Sequence, residues 1–316
     1  MDALSEVFRT VSIESTTCYR IELTAPWGLQ MSAFKGAVFL VILRGSGWLE
    51  VEGMEAHMPL VGGDLVLLLN GQPHALRHAP PERAEESAAQ PMIDFERFLE
   101  TQAEDTSNVF CFDGVGLATT VMYGRFRFTN LPENPLLCAS PPLLMIKGED
   151  MSAVAWLETT LQFLASEMVS GRPGAETVIN HLASILLAQV LRAYGASREC
   201  SDPCWLRALT DPAIGPAMDL IHRHPERLWT VEKLAEQVGV SRTKFFTQFH
   251  ELVGEPPGKY LTRWRMQRAS QALRQKYMTL SEVANLVGYE SEASFSKAFK
   301  QWMGQSPGAY RKQLLG

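Results

Sequence analysis

One short pattern occurs twice in the last third of this 316-residue chain, and it constrains the fold more than any other feature. The first copy reads Leu234-Ala235-Glu236-Gln237-Val238-Gly239-Val240-Ser241, followed by Phe245, Phe249, Gly254, Pro257 and Tyr260. The second reads Val283-Ala284-Asn285-Leu286-Val287-Gly288-Tyr289, followed by Phe295, Phe299, Gly304, Pro307 and Tyr310. The offset is 49 residues up to the glycine and 50 beyond it, so one residue is inserted just after the turn. Such self-similarity marks a repeated supersecondary unit.

The spacing has a physical basis. Val231, Leu234, Ala235 and Val238 fall at i, i+3, i+4 and i+7, one apolar stripe on a short helix. Gly239 accepts the left-handed backbone of a sharp C-terminal turn, and Ser241 suits the N-cap of a second helix. There Phe245, Phe249 and Leu252 point inward, while Arg242, Thr243, Phe246, Thr247 and His250 share the outer face. The second copy repeats this with Leu280, Val283, Ala284 and Val287, then Gly288, Phe295 and Phe299. Its outer face carries Ser291, Glu292, Ala293, Ser296, Lys297 and Lys300. Each copy predicts a helix-turn-helix, whose second helix can lie in a DNA major groove. Pro257 to Tyr277 reads as one connecting helix. A rod of that length, ~30 Å, approximates one turn of B-DNA, so two such helices could enter successive grooves on one face.

Charge agrees with a polyanionic partner. Residues 211–316 hold 15 Lys+Arg against 10 Asp+Glu, whereas residues 1–210 hold 14 against 25. A basic module joined to an acidic one predicts that only the C-terminal part meets nucleic acid.

From about Ala213 to Arg311 the chain resembles the AraC/XylS-type DNA-binding domain of bacterial transcriptional regulators. The repeat residues above carry the resemblance, with Arg265-Met266, Ala269 and Arg311. It implies double-stranded DNA as partner, with RNA polymerase as a second if the protein is an activator. By position, Arg242, Thr243, Phe246 and Thr247 of the first recognition helix would read bases, as would Glu292, Ala293, Ser296 and Lys297 of the second. Phe246 and the Thr247 methyl suit thymine methyl contact, while Arg242, Lys244, His250, Lys297 and Lys300 would hold phosphates. Arg265 is expected to be an ion-pairing residue inside the fold.

Residues 16–130 have a different texture. Thr17–Leu23, Ala37–Leu43, Gly47–Val51, Leu65–Leu69, Val121–Tyr123 and Arg125–Phe128 read as strands separated by turns at Gly45-Ser46-Gly47 and Gly62-Gly63-Asp64. This predicts a small β-barrel or sandwich. The segment resembles the cupin-type sensory domain that precedes AraC-type modules. The carrying residues are Ala25-Pro26-Trp27-Gly28, Gly45-Ser46-Gly47-Trp48-Leu49, Gly62 to Leu68, Gly71-Gln72-Pro73-His74 and Tyr123 to Phe128. The resemblance implies a small-molecule effector in the barrel mouth, with Trp27, Trp48, His57 and His74 as candidates; the two Trp fit equally as barrel-filling core. Many cupins hold a metal, but His74 has no tight His-x-His partner, so no metal or cofactor is expected. Cys18, Cys111 and Cys138 are candidates for a rival, thiol-based signal.

Between the two, Val154, Leu157, Leu161, Leu164 and Met168 step by three and four, and Val178, Leu182, Ile185, Leu186 and Val190 follow after Gly171–Gly174. This helical hairpin either pairs with its mate in a homodimer, as the resemblance implies, or covers the barrel. The expected organisation is α+β: a cupin-like β-barrel sensory domain (residues 1–148), a hairpin (149–196), a linker (197–212) and an all-α double helix-turn-helix (213–316). Scattered cysteines, the absence of a membrane-length apolar run and an N-terminus unlike a signal peptide predict a cytoplasmic protein. The competing class is a metal-dependent cupin enzyme fused to a helical domain.

Overall fold

The computed structural model describes residues 4–5, 8, 13–80, 92–102, 108–128, 141–151, 156–197, 204–275 and 277–315. The chain divides into two compact units, one holding Ile13–Thr129 with Pro141–Glu199 and the other holding Cys200–Gly316.

The first unit is built on eleven described strands: β1 (Ile13–Thr24), β2 (Gly28–Met31), β3 (Ala37–Arg44), β4 (Ser46–Val51), β5 (Met58–Val61), β6 (Leu65–Leu68), β7 (His74–Arg77), β8 (Met92–Asp94), β9 (Val109–Phe112), β10 (Ala118–Phe128) and β11 (Leu143–Ile146). A short helix, α1 (Phe95–Thr101), follows β8. The strands form a six-stranded sheet, β11-β6-β3-β10-β1-β9, and a five-stranded sheet, β5-β4-β7-β2-β8. Pairing is antiparallel except for β1 with β9 and β2 with β8. Ile21, Leu40, Ile42, Val66 and Tyr123 from one sheet meet Leu29, Met31, Leu49, Leu60 and Leu76 from the other in a single core. Of the barrel or sandwich expected, two facing sheets consistent with a cupin fold are present, with no closed barrel among the described residues.

The expected break between Val121–Tyr123 and Arg125–Phe128 does not exist, because β10 runs straight through Gly124. The glycine is there for space. Gly124 pairs with Phe39 of β3, and a Cβ on it would lie 2.0 Å from that ring.

After β11 come α2 (Gly148–Met151), α3 (Leu157–Met168) and α4 (Ala175–Ala196). The hairpin of α3 and α4 covers the outer face of the six-stranded sheet, touching β1 and β11. Asn180 of α4 accepts a hydrogen bond from the Thr16 backbone N–H at 2.9 Å. Leu157, Leu161, Leu164 and Met168 of the expected seam are buried, as are Leu186 and Val190; Val154 lies outside the described residues. Val178 and Ile185 sit on the opposite side of α4, 44% and 48% exposed, with Phe163 of α3 at 62%. The apolar residues of the hairpin therefore divide between two faces.

The second unit is all-helical: α5 (Trp205–Ala208), α6 (Ile214–Arg223), α7 (Val231–Gln237), α8 (Arg242–Val253), α9 (Pro257–Leu273), α10 (Leu280–Leu286), α11 (Glu292–Met303) and α12 (Pro307–Leu315). The end of the expected linker belongs here. Cys204, Trp205, Leu206 and Ala208 are buried, and the Cys204 N–H donates to the Leu252 carbonyl at 2.9 Å. The connecting helix α9 stops at Leu273, four residues short of Tyr277, since Arg274 and Gln275 donate to carbonyls only three residues back. Its 17 residues make a rod of about 26 Å.

Candidate nucleic-acid interface

Each recognition helix is assembled from local rules. In the first copy, Thr230 caps α7 by accepting from the Lys233 N–H at 3.2 Å. Gly239 takes a left-handed φ of 71° at the turn, and Ser241 caps α8 by accepting from the Lys244 N–H at 3.3 Å. Phe245 and Phe249 are fully buried, their rings 5.7 Å apart, which fixes the rotation of α8 about its axis. Arg242, Thr243, Lys244, Phe246, Thr247 and His250 are all exposed as a result. Phe246 and His250 stack at 6.4 Å and form a flat aromatic ledge.

In the second copy Thr279 and Glu282 form a reciprocal capping box before α10, and the backbone and side-chain hydrogen bonds from Thr279 hold the Glu282 carboxyl below its usual range. Ser291 caps α11. Phe295 and Phe299 are fully buried, leaving Glu292, Ala293, Lys297 and Lys300 exposed and Ser296 half-buried.

Two features of this site escape the sequence pattern. Arg242 is not a free cation: its Nε lies 2.5 Å from Glu232 Oε1, across the turn from α7. Replacing that competitor, as in Glu232→Gln, should strengthen DNA binding a few-fold at low salt and converge with wild type at high salt, read by fluorescence anisotropy. Arg265, expected in an ion pair, instead donates to the backbone carbonyls of Pro225 at 2.7 Å and Arg227 at 2.9 Å. Its guanidinium also lies over the Tyr289 ring. Burial, the larger influence, pulls its pKa down against the opposing pull of Tyr289 and Glu226, and backbone carbonyls take its hydrogen bonds.

Residues 2–196 match the family described as cupin, and residues 234–313 match the helix-turn-helix domain family. Across 99% of its length the chain is 34% identical to the HTH-type transcriptional regulator AlkR of Acinetobacter baylyi, covering 100% of that protein. It is 33% identical to a putative AraC-like transcription regulator of Streptomyces lividans, covering 99% of this chain and 98% of that one. The chain belongs to the AraC-like transcriptional regulators. It is a DNA-binding protein, and its relatives point to a regulator rather than an enzyme.

In this AraC-like regulator the four effector candidates do not line one pocket. Trp27 is 1% exposed within the core shared by the two sheets. Trp48 alternates with inward-facing Gly47 and Leu49, so its side chain stands on the outer face of β4. His57 and His74 do border one cavity, of about 290 Å³, with Glu50, Glu52 and Met54. His74 is 2% exposed, its Nδ1 is 2.7 Å from the Gln72 carbonyl, and its ring is 5.8 Å from Tyr123. The sequence pattern missed the neighbouring charge. Arg125, in phase with Tyr123 along β10, is buried, is clasped by Glu96 of α1 and lies over Phe34, Phe95 and Tyr123. Among the described residues no group of three or more His, Cys, Asp or Glu could hold a metal.

Burial pushes the His74 pKa from 6.5 down to about 4, with Arg125 adding to the effect. The unfolded chain therefore takes up a proton between those values that the folded one refuses. Stability should fall as pH drops from 6.5 to 4, by on the order of 3 kcal/mol for this group. Urea titrations of the intact protein across that window, with His74→Gln as the flattened control, check the sign.

At the two described thiol candidates the surroundings disfavour the thiolate. Cys18 lies on the side of β1 opposite Ile21 and Leu23, and burial raises its pKa to about 12. Cys111 is exposed, but desolvation and the Glu22 and Asp113 carboxylates raise it too. A reactive thiol needs the opposite shift. Cys138 lies outside the described residues. Native protein treated with iodoacetamide at pH 7 should leave Cys18 unmodified by mass spectrometry, and denatured protein should not.

No described helix is long and apolar enough to cross a membrane.

Proposed function

We propose that this regulator controls transcription as a homodimer, each subunit laying two recognition helices on operator DNA under the control of a small-molecule signal received by the N-terminal unit. The observation that carries the reading is duplication with conserved rotation: in both copies a buried Phe pair turns the same helical face outward. On that face Arg242, Thr243, Phe246 and Thr247 read bases in one groove, and Glu292, Ala293, Ser296 and Lys297 read the next. Lys244, His250 and Lys300, together with the charged ends of Arg242 and Lys297, grip phosphates and set the register.

The exposed side of the hairpin supports dimerisation. Val178 and Ile185 are seven residues apart on α4 and are exposed, as is Phe163 on α3, apolar side chains that the described subunit leaves uncovered. If the protein activates, RNA polymerase is the further partner. A genome-wide map of bound DNA tests the reading. Sites with paired half-sites beside a small set of genes support it, and binding without sequence preference overturns it. Ile185→Asp with Val178→Asp should shift the protein to monomer in sedimentation while leaving the unfolding transition intact.

A further inference from the structure

We propose that a small hydrophobic amine binds between the helical hairpin and the outer face of the six-stranded sheet, an inference that rests on the reading of the N-terminal unit as the receiver of a small-molecule signal. A cavity of about 330 Å³ lies there, at the lower end of what small ligands occupy. Val41 and Leu43 form one wall, because they alternate along β3 with the core-facing Leu40 and Ile42. Leu161 and Ala165 of α3, one turn apart, form the other.

The floor is prebuilt. Gly63 and Gly148 approach so closely that a Cβ on Gly63 would sit 3.0 Å from the Gly148 Cα. Asp64, 1% exposed, ties the two segments together. Its carboxylate accepts from the N–H groups of Val61 at 3.1 Å and Gly148 at 2.9 Å, and from Lys147 Nζ at 3.3 Å. A floor held by a buried, fully engaged carboxylate has little freedom to collapse into the space above it.

The rim decides the ligand's polar end. Glu158 and Gln162 stand one turn apart on α3, with Gln162 Nε2 donating to Glu158 Oε1 at 3.3 Å. Among the described residues no basic side chain lines the cavity, and the Glu158 carboxylate is the one formal charge there. That combination suits an apolar body ending in an ammonium group and disfavours a carboxylate of the same shape. The occupant would wedge between β3 and α3, whose far side carries Phe163 on the proposed dimer surface. Binding would thereby reach the hairpin without passing through the space between the sheets.

The test uses the full-length protein and three matched probes: 2-phenylethylamine, 2-phenylethanol and phenylacetate. Calorimetry or ligand-observed NMR is expected to show the amine binding at least tenfold tighter than phenylacetate. Ala165→Phe, which fills the cavity, should weaken the amine at least tenfold. Glu158→Gln, at an exposed position that keeps the fold, should erase the preference of amine over alcohol. Equal binding of amine and phenylacetate, or amine binding unchanged by Glu158→Gln, overturns the proposal even if Ala165→Phe fails to fold. Operator affinity in the same samples separates the two ideas. Amine binding with unaltered operator affinity leaves the site standing and removes its role as a signal receiver. No amine binding, in a protein whose operator affinity answers to another small molecule, removes the site alone.

Discussion

The double variant Arg242→Ala with Lys297→Ala should bind operator DNA roughly ten- to a hundredfold more weakly near physiological salt, with a shallower dependence of affinity on salt. Both side chains stand on outer faces of recognition helices, one on α8 and one on α11. Each phosphate contact releases condensed counterions, so removing two should lower the slope of log K against log salt by about 1.8. The two positions are not equivalent. Arg242 must leave Glu232 first, and that competition takes back part of what the contact contributes, whereas no ion pair is formed by Lys297 among the described residues. Lys297→Ala alone should therefore account for more than half of the loss. An unchanged slope in the double variant would show that these faces do not meet the phosphate backbone.

The second large effect concerns two glycines that hold the same place in the repeat. Gly239 and Gly288 end the first helix of each copy, with φ of 71° and 82°. Any L side chain at such a φ costs about 1 kcal/mol from backbone strain alone. Around Gly239 nothing lies within 4 Å of a Cβ, so Gly239→Ala should cost little beyond that. At Gly288 a Cβ would fall 2.6 Å from the Glu226 carbonyl oxygen and 2.8 Å from an Arg265 guanidinium nitrogen. Backbone and a doubly hydrogen-bonded arginine cannot both give way, so Gly288→Ala should cost at least about 2 kcal/mol more than Gly239→Ala. Urea unfolding followed in the C-terminal unit compares them directly; equal losses would mean that the Glu226 loop yields freely.

Much of the C-terminal unit was legible because its determinants are local. Stripes at i, i+3, i+4 and i+7, a glycine where φ must be positive and a Ser or Thr at each N-cap specify helix, turn and face within a dozen residues. The Glu232–Arg242 pair was not legible, since both residues read as ordinary solvated charges until the crossing of α7 and α8 brings them together. Arg265 was half legible: its interior role was expected, but its partners are carbonyls some forty residues away, and a carbonyl leaves no mark in a sequence.

The N-terminal unit shows where such reading stops. Strands β3, β4 and β6 carry apolar runs or alternation that stand out, whereas β2, β7 and β11 are four-residue segments whose identity comes from partners elsewhere in the sheets. Trp48 was misplaced because an aromatic beside a glycine turn gives no sign of which way the pleat faces. Register decides it: Leu49 pairs with Leu76 toward the core, and its neighbour must point away. Arg125 went unnoticed because a buried cation depends on Glu96 and on three aromatic rings contributed by separate segments.

The Arg265 clamp has a bearing on how the genome is searched. It joins the loop entering the first motif to the turn of the second, alongside the helical rod that already links them. If both recognition helices enter DNA as proposed, the spacing of the grooves they address is thereby set in advance, like the teeth of a key cut from a single blank. Evolution of new targets can change the teeth one residue at a time, but the pitch between them is inherited, and any ligand-driven adjustment has to act on how whole keys are presented rather than on their cut.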